Sequence, residues 1–320
     1  MKRYRISLVA AAIATCAGHA EASCGSAFCV LNTNWDMQGV AVEPGLRLDL
    51  RYEYIRQDQP MSGTQKLNVG QIPRHHDEVT TTNRNLLATV DYTFNDRWAV
   101  SAAVPYLDRN HLHLHNHGGG RLPEQWDFER WGDVRVLGRY QLRSENVEAQ
   151  RLNFYGLNFG LKLPTGDKDV VNAAGARAER TLQPGTGTTD LVLGAFYSSL
   201  LGRSDSSWFV QALWQAPVNS SENYRPGKRV TVDVGYRYEA TDKVGLMLQL
   251  NTLWRGRDSG AQAEPDDTGG NFVYVSPGVS YSIAKGVSIY GFVQKPLYQY
   301  VNGVQLTAKW SGVMGVTARF

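Results

Sequence analysis

LRLDLRYEY, residues 46–54, places Leu46, Leu48, Leu50, Tyr52 and Tyr54 on one face and Arg47, Asp49, Arg51 and Glu53 on the other. Strict period-two alternation marks a strand with one apolar and one polar face. In a soluble sandwich the apolar face would be core. In a membrane barrel it would meet lipid, and the polar face would line the interior. The rest of the chain decides between these.

The alternation recurs in about twelve segments, a number within the range of membrane barrels. They fall at 45–56, 84–95, 97–110, 132–144, 151–164, 188–201, 207–218, 229–240, 243–256, 271–283, 286–297 and 304–320. Their separators alternate in length. Short ones include Asn95-Asp96, Thr241-Asp242 and Ala284-Lys285; long ones occupy 57–83, 111–131, 165–187, 219–228, 257–270 and 298–303. Short turns at one end and long loops at the other are the pattern of an outer-membrane barrel with periplasmic turns and extracellular loops. Aromatics gather near strand ends, as at Tyr92, Phe94, Trp98, Trp208, Trp254 and Tyr281, where interface girdles belong. The fold expected is therefore all-β, a transmembrane antiparallel β-barrel over residues 45–320. Phe320 ends the last alternating series, resembling the C-terminal signal by which such barrels engage their assembly machinery.

The N-terminus agrees with export. Lys2, Arg3 and Arg5 precede an apolar run from Ile6 to Ala14, and Ala20-Glu21-Ala22 offers a cleavage site. Residues 1–22 thus read as a signal peptide, the run being shorter than the ~20 apolar residues of a membrane-spanning helix. Residues 23–44 would form a periplasmic segment, able to plug the barrel or to stay a tail. Its Cys24 and Cys29 read as one disulfide in an exported chain, with metal or redox ligation as the alternative. The compartment expected is the outer membrane of a Gram-negative bacterium, with lipid as the surrounding partner.

The 320 residues carry 33 basic and 30 acidic side chains, and loss of Lys2, Arg3, Arg5 and Glu21 leaves a net charge of +1. No basic block points to nucleic acid. The face opposite the apolar one assigns Arg47, Asp49, Arg51 and Glu53 to the interior, with Asp133, Arg135, Arg139 and Arg143, and with Asp233, Arg237 and Glu239. Lys162, Lys309, Arg319, Gln211, Gln215, Gln249 and Asn251 join them. Such a lining holds water and ions, or closes a narrow lumen by pairing. An enzyme is not expected: no histidine falls in a spanning segment, no Ser-His arrangement occurs on adjoining strands, and no phosphate-binding glycine loop appears.

Residues 161–166, LKLPTG, and 182–197, LQPGTGTTDLVLGAFY, with WGDVRVLGRY at 131–140, resemble the outer-membrane proteins grouped as the phenol-degradation-pathway (MetA-pathway) transporter family. There, a strand ending in LPTG precedes a loop, a QPGTG-type turn and a strand opening on an acidic residue. The resemblance implies a barrel that passes small molecules, aromatic compounds among them, and transfers no binding residue. The segment SCGSAFC at 23–29 and the histidines described next lie outside that pattern.

HLHLHNHGGG, residues 111–120, holds four of the chain's seven histidines. Continuing the phase of Trp98, Val100, Ala102, Val104 and Tyr106 outward puts His111, His113, His115 and His117 in one inward row, with Leu112 and Leu114 opposite. Alternate residues on a strand are ~6.6 Å apart, so neighbouring imidazoles can converge on one ion, but four spread over ~20 Å cannot. His-x-His pairs, or a folded loop completed by His75, His76, Asp77, Glu78 or Glu124, would suffice, and imidazole suits Zn, Cu or Ni. A pH-responsive mouth and a plain polar loop are the other readings. The function expected is passage of a small solute with a metal-binding rim; the alternative is a non-conducting receptor or structural barrel that binds metal or a protein partner.

Overall fold

The computed structural model describes residues 31–32, 44–73, 76–117, 120–202 and 205–320. The signal peptide, Cys24, Cys29 and His75 lie outside the described residues, as do Gly118, Gly119 and the side chain of His117. The elements are β1 (Gly45–Gly63), β2 (Gln65–Lys66), β3 (His76–Thr93), β4 (Trp98–His117), β5 (Gly120–Trp131), β6 (Arg135–Asn146), β7 (Arg151–Lys162), β8 (Asp190–Leu201), β9 (Ser206–Pro217), β10 (Arg229–Glu239), β11 (Val244–Arg255), β12 (Gly270–Ala284) and β13 (Val287–Arg319). Among the described residues the single helical turn is 3-10, Pro265–Asp267, and no helix is long and apolar enough to cross a membrane.

Eleven elements make one closed antiparallel wall, each pairing with the next in the chain. The circle closes where β1 pairs with β13, from Arg47 opposite Arg319 to Gly63 opposite Val301. Strands β2 and β5 lie off this wall. Within β13 the chain reverses. Its first limb pairs with β12 and its second with β1, and Arg319 N returns to donate to Gly286 O at 2.8 Å. The reversal falls at Gly303, whose φ of 54° and crowding against Asp267 Oδ1 exclude a side chain. The wall therefore makes twelve passes across the membrane.

The faces follow from alternation. Leu48, Leu50, Leu86, Val90, Leu246, Leu248 and Leu250 are exposed, as a lipid-facing band must be. Tyr92, Phe94, Trp98, Trp208, Tyr238 and Tyr281 ring the short-turn end, and Trp131, Trp214, Trp254 and Tyr298 ring the other. Inward residues are buried: Arg47, Asp49, Arg51, Glu53, Arg139, Asp233, Gln249 and Asn251. Lys309 departs from the expectation. A register shift in the β1–β13 pairing, between Ile55 and Gln57, breaks the period there, and Lys309 is exposed with its ammonium 3.2 Å from Asp58.

Two expected loops are largely strand. The 57–83 stretch holds the ends of β1 and β3, and 111–131 is the β4–β5 hairpin, with His115 opposite Leu122. Above the lipid, both sheet faces meet water or polar packing, so apolar alternation disappears while backbone pairing continues. Pro105 explains where β5 leaves the wall. It has no N–H to give, and β4 pairs with β6 up to Ala103 and with β5 from Tyr106 onward.

Three segments meet at that departure. Asp133, between β5 and β6, accepts from Gly166 N (3.0 Å) on one oxygen and from Thr186 N and Oγ1 (both 2.9 Å) on the other. Its partner Lys162 donates at 2.9 Å and lies 3.3 Å from Asp190. A Cβ on Gly166 would lie 2.7 Å from the Gly132 carbonyl carbon and 2.8 Å from Gly185 Cα, so the three backbones stack with no room between them. The Gly-Asp, LPTG and QPGTG motifs are thus the staple that folds the 163–189 loop.

Candidate functional site

Two chain segments occupy the barrel interior. From the N-terminal segment, Leu31 packs with Ile55, Met247, Tyr290, Phe292 and Val313. Asn32 receives Gln249 Nε2 on its carbonyl (2.8 Å), donates its N–H to Gln249 Oε1 (3.2 Å), and gives its side-chain amide to Gln211 (3.0 Å). A polar ladder continues around the wall: Asn251 donates to Asp233 (2.8 Å), Ser276 to Asn251 (2.8 Å) and Gln294 to Ser276 (3.2 Å). Of the 23–44 segment, Leu31 and Asn32 thus lie inside the barrel, as the plugging alternative has it for that part. Of the other expected lining residues, Arg135 reaches Gln215 at 3.2 Å, while Arg237 turns to Glu239 near the short-turn end.

The second segment is the 163–189 loop, which covers the mouth. Val170, Ala178 and Leu182 pack on Trp126 and Phe128 of β5 and Leu306 of β13. Arg109, almost wholly buried, donates to Asn83 (2.6 Å) and to the Leu182 carbonyl (2.5 Å), with its guanidinium 5.9 Å from the Phe128 ring centre. Trp126 Nε1 donates to Ala176 O at 3.0 Å.

Beneath this loop the histidines gather. β4 carries His111 and His113 inward, both buried. On β3 the inward residues run Asn85, Asn83, Thr81, and period two would next give Val79 and Asp77. A bulge intervenes: Thr80 is opposite Leu112 but Glu78 is opposite His113, so Val79 is the extra residue and Glu78 and His76 turn inward. His76 Nε2 is 3.0 Å from Glu179 and 3.7 Å from Glu78, and its ring stacks on His113 with centroids 4.5 Å apart. His113 Nε2 is 3.0 Å from Glu124, and His111 Nε2 is 3.5 Å from Glu78. One ligand atom from each of His76, Glu78, His113 and Glu179 falls within 4.8 Å of all the others; His113, His115 and Glu124 form a second such set.

Of the expected metal residues, His76, His113 and His115 are brought into these sets, and His111 stands behind Glu78 as its neighbour. Glu179 was not foreseen, since nothing in the loop's sequence announces that it folds back onto β3.

Charge distributes itself unevenly here. Burial pulls the His76 imidazole down, but hydrogen bonds to Glu179 and Glu78, with their charges, hold it up to about 11. Burial pushes His111 down to about 4, and burial together with His76 lowers His113. The Glu78 carboxyl, which burial would raise, is held low by His111 and His76. Burial thus favours the neutral imidazole at His111 and His113, the form that ligates metals. Thr81 Oγ1 is 2.9 Å from His111 Nδ1, an arrangement of hydroxyl, imidazole and carboxylate on adjoining strands. Both Thr81 and His111 have zero exposure.

A family model described as "Putative MetA-pathway of phenol degradation" matches residues 85–311. Among solved structures, an outer-membrane channel from Pseudomonas putida F1 is similar at 14% identity and TM-score 0.62, over 89% of this chain and 98% of that one. The translocator domain of the autotransporter NalP from Neisseria meningitidis matches at 12% identity and TM-score 0.44, over 89% and 91% of the two chains. No match is found among curated proteins. The wall and its apolar band, with the likeness in fold to the Pseudomonas putida channel, make this an outer-membrane β-barrel of Gram-negative type.

Proposed function

We propose, from the premise that this chain belongs to the family described as the MetA pathway of phenol degradation, that it is a gated outer-membrane channel for a small solute. The observation that carries this reading is a polar interior running the height of the lipid-facing band, obstructed by two segments that are not part of the wall. Leu31 and Asn32 fill the lower part, and the 163–189 loop covers the mouth. Phe272 and Tyr274 add aromatic surfaces beside the amides of Gln57 and Gln294, a lining suited to a small aromatic solute with a hydroxyl group. We further propose that the histidine-rich overhang takes a divalent transition ion, Zn²⁺, Cu²⁺ or Ni²⁺.

A second reading, a non-conducting receptor or structural barrel, draws on the packing. The cavity among Ile55, Gln57, Tyr274, Gln294 and Thr307 measures about 20 Å³, room for roughly one water. Conductance in a planar bilayer separates the two. The full chain is expected to give rare, small steps, and a variant lacking residues 23–43 larger and more frequent ones. A variant that folds, inserts and stays silent would leave the non-conducting reading standing.

A further inference from the structure

We infer that His76, Glu78, His113 and Glu179 form a four-ligand site for a Zn²⁺-class divalent cation that fastens the 163–189 loop over the barrel mouth. This rests on the metal reading above and names its ligands and its consequence. Two imidazoles and two carboxylates are a donor set that borderline divalent cations accept, with nitrogen and oxygen distances of about 2.0–2.2 Å. Tetrahedral ligands at that distance lie about 3.4 Å apart. The four atoms already fall within 4.8 Å of one another, and His76 and Glu179 are at 3.0 Å, so modest side-chain rotations complete the sphere.

Charge favours the same occupant. Glu78 is fully buried and Glu179 nearly so, with side-chain exposures of 0% and 11%. Two carboxylates place negative charge in a poorly solvated spot. A divalent cation balances the two carboxylate charges. The surroundings match what orients ligands in metal sites. Glu124 lies 3.0 Å from His113 Nε2, an imidazole–carboxylate pair of the kind that fixes a ligating ring. His111 is held by Thr81 at 2.9 Å and stands against Glu78. The Trp126 ring, 4.9 Å from His113, covers the cluster on its β5 side.

The ligands come from three chain segments. His76 and Glu78 are on β3 beyond the bulge, His113 is on β4, and Glu179 is on the loop. An ion bound to all four ties the loop to the wall. Glu179 sits in a turn closed by Leu182 N donating to its carbonyl at 2.9 Å, and Arg180 beside it donates to Thr186 O at 2.9 Å. Through Thr186 the clasp reaches the Asp133 staple at the loop's other end.

The test titrates the purified full chain with Zn²⁺ against a chromophoric chelator and, in parallel, follows tryptic cleavage after Arg177 and Arg180. Wild type is expected to bind one tight Zn²⁺ and to be protected from cleavage by it. Glu179→Gln keeps the side chain's shape and is expected to weaken binding at least tenfold and to abolish protection, with the heat-modifiable gel shift of a folded barrel unchanged. His115→Ala removes a ligand of the second set alone, so binding and protection that survive it assign the ion to the clasp. Tight binding that survives Glu179→Gln and is lost with His115→Ala would overturn the clasp in favour of the His113–His115–Glu124 set, while keeping the metal reading. No binding by folded wild type would overturn both, without touching the conductance result.

Discussion

Lys162→Ala is expected to lower the unfolding free energy by roughly 3–5 kcal/mol, the cost of breaking a buried ion pair from one side. The ammonium lies 2.9 Å from Asp133 and 3.3 Å from Asp190, and all three side chains are at most 8% exposed. Its removal leaves two carboxylates facing one another with little water to screen them. Asp190 keeps Thr188 and Gln215 as donors (2.8 and 2.6 Å), and Asp133 keeps Thr186 and Gly166 N. Those bonds orient the carboxylates without cancelling their charge. Urea unfolding of liposome-inserted protein measures the loss, and adding Asp190→Asn to Lys162→Ala should restore part of it. An unchanged midpoint for the single variant would mean the triad is not an energetic unit.

The second large effect is expected from Gly185→Val. A Cβ there would lie 2.3 Å from the Gly166 carbonyl oxygen and 2.8 Å from its Cα, contacts with backbone that no rotamer change can relieve. The stacked backbones must part, at a cost of about 1–3 kcal/mol or more for an overpacked site. Because Gly185 N also donates to Asp167 O at 2.7 Å, parting them releases both ends of the loop from the wall. Tryptic cleavage after Arg177 should accelerate and Trp126, now buried, should gain solvent-exposed fluorescence. Wild-type cleavage in a variant shown by sequencing to carry valine would refute the staple.

The wall was legible in the sequence because lipid and lumen impose opposite demands on alternate residues. LRLDLRYEY carries both at once, and β7, β8, β10 and β11 begin and end within two residues of their expected bounds. Legibility stops where lipid stops. HDEVTTTN at 76–83 contains one apolar residue, and β5 (GRLPEQWDFERW) pairs with β4 off the wall, so neither displays the contrast that periodicity detects. The inward direction of His111 and His113 could be read because the extra residue of the β3–β4 bulge lies on β3, so β4 keeps its own alternation through those positions. Glu78 and His76 could be named as candidates but not placed, since unbroken alternation from Leu86 puts them outside. Glu179 was invisible because only the packing of Val170, Ala178 and Leu182 brings its loop home.

That leaves Val79. Being the single extra residue in its pairing, it works on side-chain direction as an inserted base works on a reading frame: everything upstream of it is read on the other face. Below it β3 presents threonines and asparagines to the lumen; above it, the same lumen receives an imidazole and a carboxylate. Excising Val79 would leave Glu78 and His76 opposite His113 and His115, as they are now, whereas absorbing Val79 into a regular ladder would turn His76 and Glu78 to the outer surface and bring Asp77 inward in their stead. The chemistry at the rim of this barrel thus hangs on one residue being left out of the pairing.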